Sequence, residues 1–224
     1  MKIVNPLLKL IKPLPEVHLK RKNTALLIVD MQYLDAHKDY GIFLNARNKG
    51  VEKAMDYYRN RLGIIVPNIA KLQKAFRAKN IEVIQTKIAS LTLDGRERSK
   101  GHKDKKIFAA KGSKEAEILK ELKPLENEIV LPKTASGVFN ATAIDQILRN
   151  LRIESLVITG VVTNNCVENA VRDACDRGYA VIVVEDGCAA VTEELHLAAL
   201  RAMRDHFAKV KSTAEVIRLL KTVR

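Results

Sequence analysis

The sequence has no tryptophan and only five phenylalanines and five tyrosines, so aromatic residues make up 4% of its 224 positions. That scarcity matters because the chain is strongly basic, with 39 Lys and Arg against 26 Asp and Glu and a formal net charge of +13. Nucleic-acid binders usually combine clustered cations with stacking residues or a recognisable base-reading element. Here the excess Lys and Arg is scattered and no stacking platform accompanies it, so the charge is read as a solvated surface. Cysteine is also scarce. Cys166, Cys175 and Cys188 form neither an even set nor a CxxC pair, which argues against a disulfide framework and a four-cysteine zinc site. No apolar run approaches the roughly 20 residues that cross a bilayer, and the basic start MKIVNPLLKLIKPLPEV lacks a long apolar segment with a cleavage site. The expectation is a cytoplasmic protein with neither membrane nor nucleic-acid partners.

What is present describes one ordinary globular domain: 47% hydrophobic and 29% charged residues, over a length that buries a substantial core. Short Val- and Ile-rich stretches recur at 25–29, 81–85, 128–131, 155–159 and 180–184, each short enough for a buried strand. Between them lie segments of helical period: Ile65, Ile69, Leu72 and Phe76; then Ala143, Ile147 and Leu148; later Leu195, Ala199 and Met203. Gly178, after Ala170–Arg177, fits a helix C-terminus. Alternating strands and helices imply right-handed crossovers and an α/β fold, a mainly parallel sheet between two helical layers. Two stretches interrupt the pattern, 33–60 and 87–113, and their length predicts binding loops or surface insertions.

In an open parallel sheet, ligands bind beyond the carboxyl ends of the strands. Three reactive residues fall there: Asp30 ends ALLIVD, Lys133 follows EIVLP, and Cys166 follows SLVITG through the turn VVTNN and opens a helix. A cysteine at a helix N-terminus meets free N–H groups and the positive end of the helix dipole, and a nearby lysine adds to the effect, so a stabilised thiolate is expected. Such a thiol alkylates faster than Cys175 or Cys188, which read as small packing residues. Asp30 can shuttle the thiol proton, and the backbone N–H groups of the turn can bind an oxyanion.

The segments ALLIVDMQ, LPKTASGVFNAT and ITGVVTNNCVENAVRDACDRGY, in this order, resemble the three signature blocks of the isochorismatase-like cysteine hydrolases, over about residue 23 to the C-terminus. The resemblance implies a three-layer α/β/α, Rossmann-like fold with six strands, residues 1–22 being an N-terminal arm before the domain at 23–224. It also implies a catalytic triad of Asp30, Lys133 and Cys166, a cis peptide between Val161 and Val162, and an oxyanion hole formed by the N–H groups of Val162 and Cys166. Homo-oligomers are common in the family.

Within that family, nicotinamidases hold a metal through a DxH motif and a further histidine after the second strand. Here the region reads QTKIASLTLDGRERSKGHKDKK, so neither metal nor cofactor is expected. His102 is read as a surface histidine, and His37, His196 and His206 show no ligand pattern. Arg96 and Arg98 are candidate clamps for a substrate carboxylate, with loop-anchoring ion pairs as the alternative. Tyr33 and Phe139 are candidate pocket walls or core residues. Asn164 and Asn165 either cap the helix that follows or, for Asn165, touch substrate. These features favour an amidohydrolase that cleaves a C–N bond of a small ureido, carbamoyl or carboxamide compound through a thioester. The alternatives are a vinyl-ether hydrolase of the isochorismatase type or a catalytically silent binding protein.

Overall fold

A computed structural model describes Leu10 and residues 12–223. Its centre is a six-stranded, all-parallel sheet. The strands are β1 (Thr24–Val29), β2 (Glu82–Ile88), β3 (Ile129–Lys133), β4 (Ser155–Val161), β5 (Ala180–Ala189) and β6 (Lys209–Lys211), in the order β3-β2-β1-β4-β5-β6. All five strands read from the sequence are present. β6 is only three residues long, too short for its period to stand out. β5 lies one strand in from the edge, beside β4.

Alternation along the strands divides the core in two. From β1, Leu26 and Ile28 face one layer, against Ile65, Ile69, Leu72 and Phe76 of helix α3 (Asp56–Ala78) and Val216 and Leu220 of α9 (Thr213–Lys221). Ala25, Leu27 and Val29 face the other, against Val138 of α5 (Val138–Ala141), Leu148 of α6 (Ile144–Asn150), Val171 and Ala174 of α7 (Glu168–Asp176) and Leu200 and Met203 of α8 (Glu193–Met203). A strand whose six residues are all buried must be apolar throughout, as TALLIV nearly is. Gly178, at φ +90°, ends α7 by donating its N–H to the Cys175 carbonyl at 2.9 Å.

The two interruptions are not loose insertions. Residues 33–60 form α1 (Tyr33–Ala36), α2 (Gly41–Asn48), a 3₁₀ turn at Glu52–Met55 and the first turn of α3. Phe43 and Tyr58 from this stretch are fully buried and stack at 5.6 Å. Its helical period is hidden in the sequence because the helices are too short to repeat it. Residues 87–113 include the end of β2 and the short α4 (Lys100–Asp104), with Ser90, His102 and Ala109 buried. The arm read at 1–22 falls partly outside the described residues. Of its described part, Val17 is buried, and Glu16 pairs with Lys209 and Lys211 of β6 at 3.4 and 2.9 Å. No helix among the described residues is long and apolar enough to cross a membrane.

The chain runs β1–β2–β3 toward one edge and then returns to place β4 on the other side of β1. The sheet therefore reverses its winding between β1 and β4, the position at which open parallel sheets place a ligand crevice beyond the carboxyl ends. Backbones meet tightly here: Gly160 of β4 pairs with Val29, has φ +118°, and a Cβ on it would lie 2.0 Å from the Val29 carbonyl oxygen. Gly160→Ala is expected to cost at least ~2 kcal/mol, lowering Tm by about 4–8 °C or more. A thermal melt matching wild type would show that this approach can relax.

Candidate active site

Asp30 is the residue after β1 and has a left-handed backbone, φ +53°. Its N–H donates to the Thr86 carbonyl at 3.1 Å, and Oδ1 accepts from the Thr86 hydroxyl at 3.0 Å. Gln32 makes this end of the sheet rigid. Fully buried, it donates from Nε2 to the carbonyls of Ile88 and Glu115 at 2.8 Å each and accepts the Ile88 N–H on Oε1. The glutamine of ALLIVDMQ thus ties the ends of β1 and β2 together, a role that only the three-dimensional neighbours reveal.

Lys133 ends β3, two strands from β1, or about 9–10 Å across the sheet. Its long side chain spans that gap, and no part of it reaches solvent. Nζ lies 2.8 Å from Asp30 Oδ2, donates to the carbonyls of Ala135 and Ser136 at 3.0 Å each, and meets Cys166 Sγ at 3.4 Å. Burial alone would lower the lysine pKa, but the charge and hydrogen bond of Asp30, together with the Cys166 sulfur and Asp35, outweigh it, so the ammonium titrates above its ordinary range. The structure therefore brings together the three residues that the strand ends and the sequence blocks singled out.

Cys166 sits in a π-helical turn, Thr163–Val167, that leads into α7, and the Val161–Val162 peptide before it is cis. Val162, rather than either asparagine, occupies the cap position, and no side chain caps the turn. Burial pushes the Cys166 thiol well above its ordinary range and the Asp30 charge pushes it further; Lys133 offsets only part. This reverses the expectation of a resting thiolate. The sulfur is nearly inaccessible, so loss of water outweighs the helix end and the ammonium.

The turn is held from behind. Thr163 Oγ1 lies 2.8 Å from Nδ1 of the buried His196, whose Nε2 is 3.1 Å from the Arg61 guanidinium. Arg61 can only donate, so Nε2 accepts and Nδ1 carries the hydrogen directed to Thr163. Burial, with the Arg61 charge, lowers the His196 pKa to about 4, which keeps the ring neutral. Arg61 also donates to the carbonyls of Glu185 and Cys188 at 2.6 and 3.2 Å.

Two further groups border the triad. His102, expected at the surface, is 3% exposed, with Nε2 3.3 Å from the Ser136 hydroxyl and Nδ1 buried without a partner among the described residues. Burial, then the Lys133 charge, lowers its pKa. Asp35 on α1 also has a buried, unpartnered Oδ2. Burial, then repulsion from Asp30, raises its pKa to about 7.

The residues read as substrate contacts are placed differently. Arg96 is largely exposed and pairs with Asp94 at 3.2 Å. Arg98 donates to the carbonyls of Gly95 and Ile107 at 3.0 and 2.7 Å and lies over the Phe108 ring, so it anchors its own loop. Phe139 packs toward Tyr179 in one core layer, with the Arg177 guanidinium over its ring. Tyr33 joins the opposite layer and stacks on His37 at 4.6 Å. Asn165 is half-buried beside Cys166 and donates its N–H to the Val162 carbonyl at 3.0 Å. Cys188 is fully buried and Cys175 partly so. Among the described residues, no three His, Cys, Asp or Glu side chains group as metal ligands.

Comparison with known proteins gives a consistent picture. A family model described as an isochorismatase domain matches residues 24–215. Ureidoacrylate amidohydrolase RutB of Acinetobacter baylyi is 30% identical over 228 residues, covering 93% of this chain and 89% of that protein. A cysteine hydrolase of Pseudomonas syringae pv. phaseolicola superposes with a TM-score of 0.78 at 25% identity, over 94% of this chain and 98% of its own. N-carbamoylsarcosine amidase of Thermoplasma acidophilum does so with a TM-score of 0.65 at 26% identity, over 85% and 96%.

Two outcomes follow for these groups. Removing the ammonium in Lys133→Met leaves the Asp30 carboxylate buried and unmatched, at an expected cost of about 3–5 kcal/mol in urea unfolding at pH 7. The lysine pKa is raised in the fold, so the contribution is complete below the ordinary value of 10.5 and disappears as pH climbs past the raised one. Equal stability of wild type and variant at pH 7 would contradict this. The raised thiol pKa further predicts that iodoacetamide alkylates Cys166 in the ligand-free protein slowly at pH 7 and faster through pH 9. A fast, pH-independent reaction across that range would contradict it.

Proposed function

The chain belongs to the isochorismatase family, and on that premise we propose that it is a cysteine-dependent amidohydrolase of small ureido, carbamoyl or carboxamide compounds. The observation that carries the proposal is the mutual contact of Asp30, Lys133 and Cys166, buried at the crevice where the sheet reverses its winding. Its relatives include proteins named for ureidoacrylate and N-carbamoylsarcosine, both of which hold a C–N bond beside a carbonyl.

In this reading the resting pair is a neutral thiol and an ionised Asp30 held by Lys133. As Sγ attacks the substrate carbonyl, the carboxylate takes the thiol proton, so the thiolate exists only while it is forming its bond to carbon. The backbone N–H groups of Val162 and Cys166 receive the oxyanion in a site from which water is excluded. Asp30 then gives its proton to the departing nitrogen, and the tetrahedral species collapses to a thioester with release of the amine. Water enters, Asp30 removes its proton, and attack on the thioester carbonyl frees the acid and restores the thiol. Lys133 keeps its charge throughout and orients the carboxylate. Tyr33 and Asn165, neighbours in sequence of Gln32 and Cys166, are assigned to the pocket wall; Arg96, Arg98 and Phe139 keep the loop and core partners given above.

The test is ammonia release from a panel of ureido acids, carbamoyl amines, carbamoyl amino acids and biuret. Cys166→Ala is expected to lower kcat/KM by about 10³-fold or more, and Asp30→Asn by about 10²–10⁴-fold, with both variants folded. Full turnover by Cys166→Ala would end the proposal.

A further inference from the structure

Asp35 lies five residues beyond Asp30, on the helix that follows it, between buried Leu34 and buried Ala36. Its backbone is fixed from α3, where the hydroxyl of the fully buried Tyr58 donates to the Asp35 carbonyl at 2.9 Å. The carboxyl itself is a different matter: the residue is half-buried, yet Oδ2 is out of contact with solvent and accepts no hydrogen bond among the described residues. Buried polar atoms are almost always partnered, so an open carboxylate oxygen near a reactive group has room for a donor from water or from a ligand. The groups around it are Asp30 from the end of β1, Lys133 from β3, the Cys166 thiol from the turn after β4 and the Tyr58 phenol from α3. Lys133 and Asp30 neutralise each other. Among the described residues the Asp35 carboxyl therefore has no ion-pair partner of its own, and the cluster falls one positive charge short whenever Asp35 is ionised.

We infer that Asp35 is the specificity-determining end of the pocket, where its carboxylate accepts a charge-assisted hydrogen bond from a cationic nitrogen, ammonium or guanidinium, of a carbamoyl or ureido substrate. The inference deepens the proposed function and rests on it. A cationic substrate supplies the missing charge and the missing donor at once. A ureido acid with its carboxylate at this end brings a third negative charge toward Asp30 and Asp35, and binds only if Asp35 first takes up a proton. The raised Asp35 pKa, about 7, agrees with a carboxyl whose partner is brought in by the ligand.

The experiment uses two probes of one shape, 4-ureidobutylammonium and 4-ureidobutyrate, in calorimetric binding to the full chain carrying Cys166→Ala, so that no turnover is needed. The cationic probe is expected to bind roughly tenfold tighter or more, and Asp35→Asn to remove that preference. Equal binding of the two probes, tighter binding of the carboxylate, a preference unchanged in Asp35→Asn, or no binding of the cation each overturns the inference. Ammonia release from the panel by the cysteine-intact protein separates the two ideas: cysteine-dependent release without an Asp35-dependent charge preference sinks only this inference, whereas absence of cysteine-dependent release sinks the amidohydrolase reading and the inference with it. A second readout does not involve ligand. Because the Asp35 pKa is raised in the fold from 3.8, ionisation there opposes folding, and the penalty grows as pH rises from about 4 to about 7. Asp35→Asn should therefore raise Tm more at pH 8 than at pH 4; an equal shift at both would mean the carboxyl is not unmatched.

Discussion

An ammonium and a carboxylate taken out of water repay their lost hydration only if they meet closely and their remaining hydrogen-bonding positions are filled. The pair of Lys133 and Asp30 meets the first and most of the second: 2.8 Å between the charges, two carbonyls for the lysine and a threonine hydroxyl for Asp30 Oδ1, while Oδ2 faces the ammonium with no further partner among the described residues. Much of the surrounding structure can be understood as support for this pair. Asp30 must turn left-handed at the end of β1, Gln32 must lock β1 to β2, and β3 must lie two strands away so that a lysine side chain reaches across. Moving β3 by one residue would send the lysine to the other face of the sheet.

The same burial that strengthens the pair keeps the nearby thiol neutral. In the proposed mechanism a thiol deprotonated only on attack differs from one kept permanently as a thiolate, and makes the neighbouring aspartate indispensable rather than auxiliary. The Thr163–His196–Arg61 chain fits this arrangement, since a neutral histidine holds the turn that carries Cys166 without adding a charge to it. Among the described residues, charge beside Cys166 lies on Asp30, Lys133 and Asp35, and the inferred ligand role of Asp35 follows from its being the one of the three without an ion-pair partner.

Most of the fold was legible in the sequence because buried parallel strands are continuous apolar runs and long helices repeat their period. The strand at 25–29 and the helical period from Ile65 to Phe76 announced themselves in this way, while the first turn of α3 did not. The short helices at 33–48 did not, since four and eight residues complete too few turns to show a pattern. Asp30, Lys133 and Cys166 could be picked out because each follows a strand, and the sheet rule alone sends such residues to one rim. His102 and Asp35 could not. Their importance lies in burial beside distant residues, and nothing in the surrounding sequence distinguishes a buried histidine or aspartate from a solvated one. Arg96 and Arg98 show the opposite case, in which residue type pointed to a clamp while Asp94, Gly95 and Ile107 supplied the partners.

The most direct measurement is mass spectrometry of the protein quenched during turnover of a carbamoyl or ureido compound, followed by peptide mapping. The account predicts an acyl group on the peptide that contains Cys166, appearing with turnover and lost on standing, and accumulating on neither Cys175 nor Cys188. Sustained ammonia release with Cys166 unmodified at every quench time, and undiminished in Cys166→Ala, would contradict it.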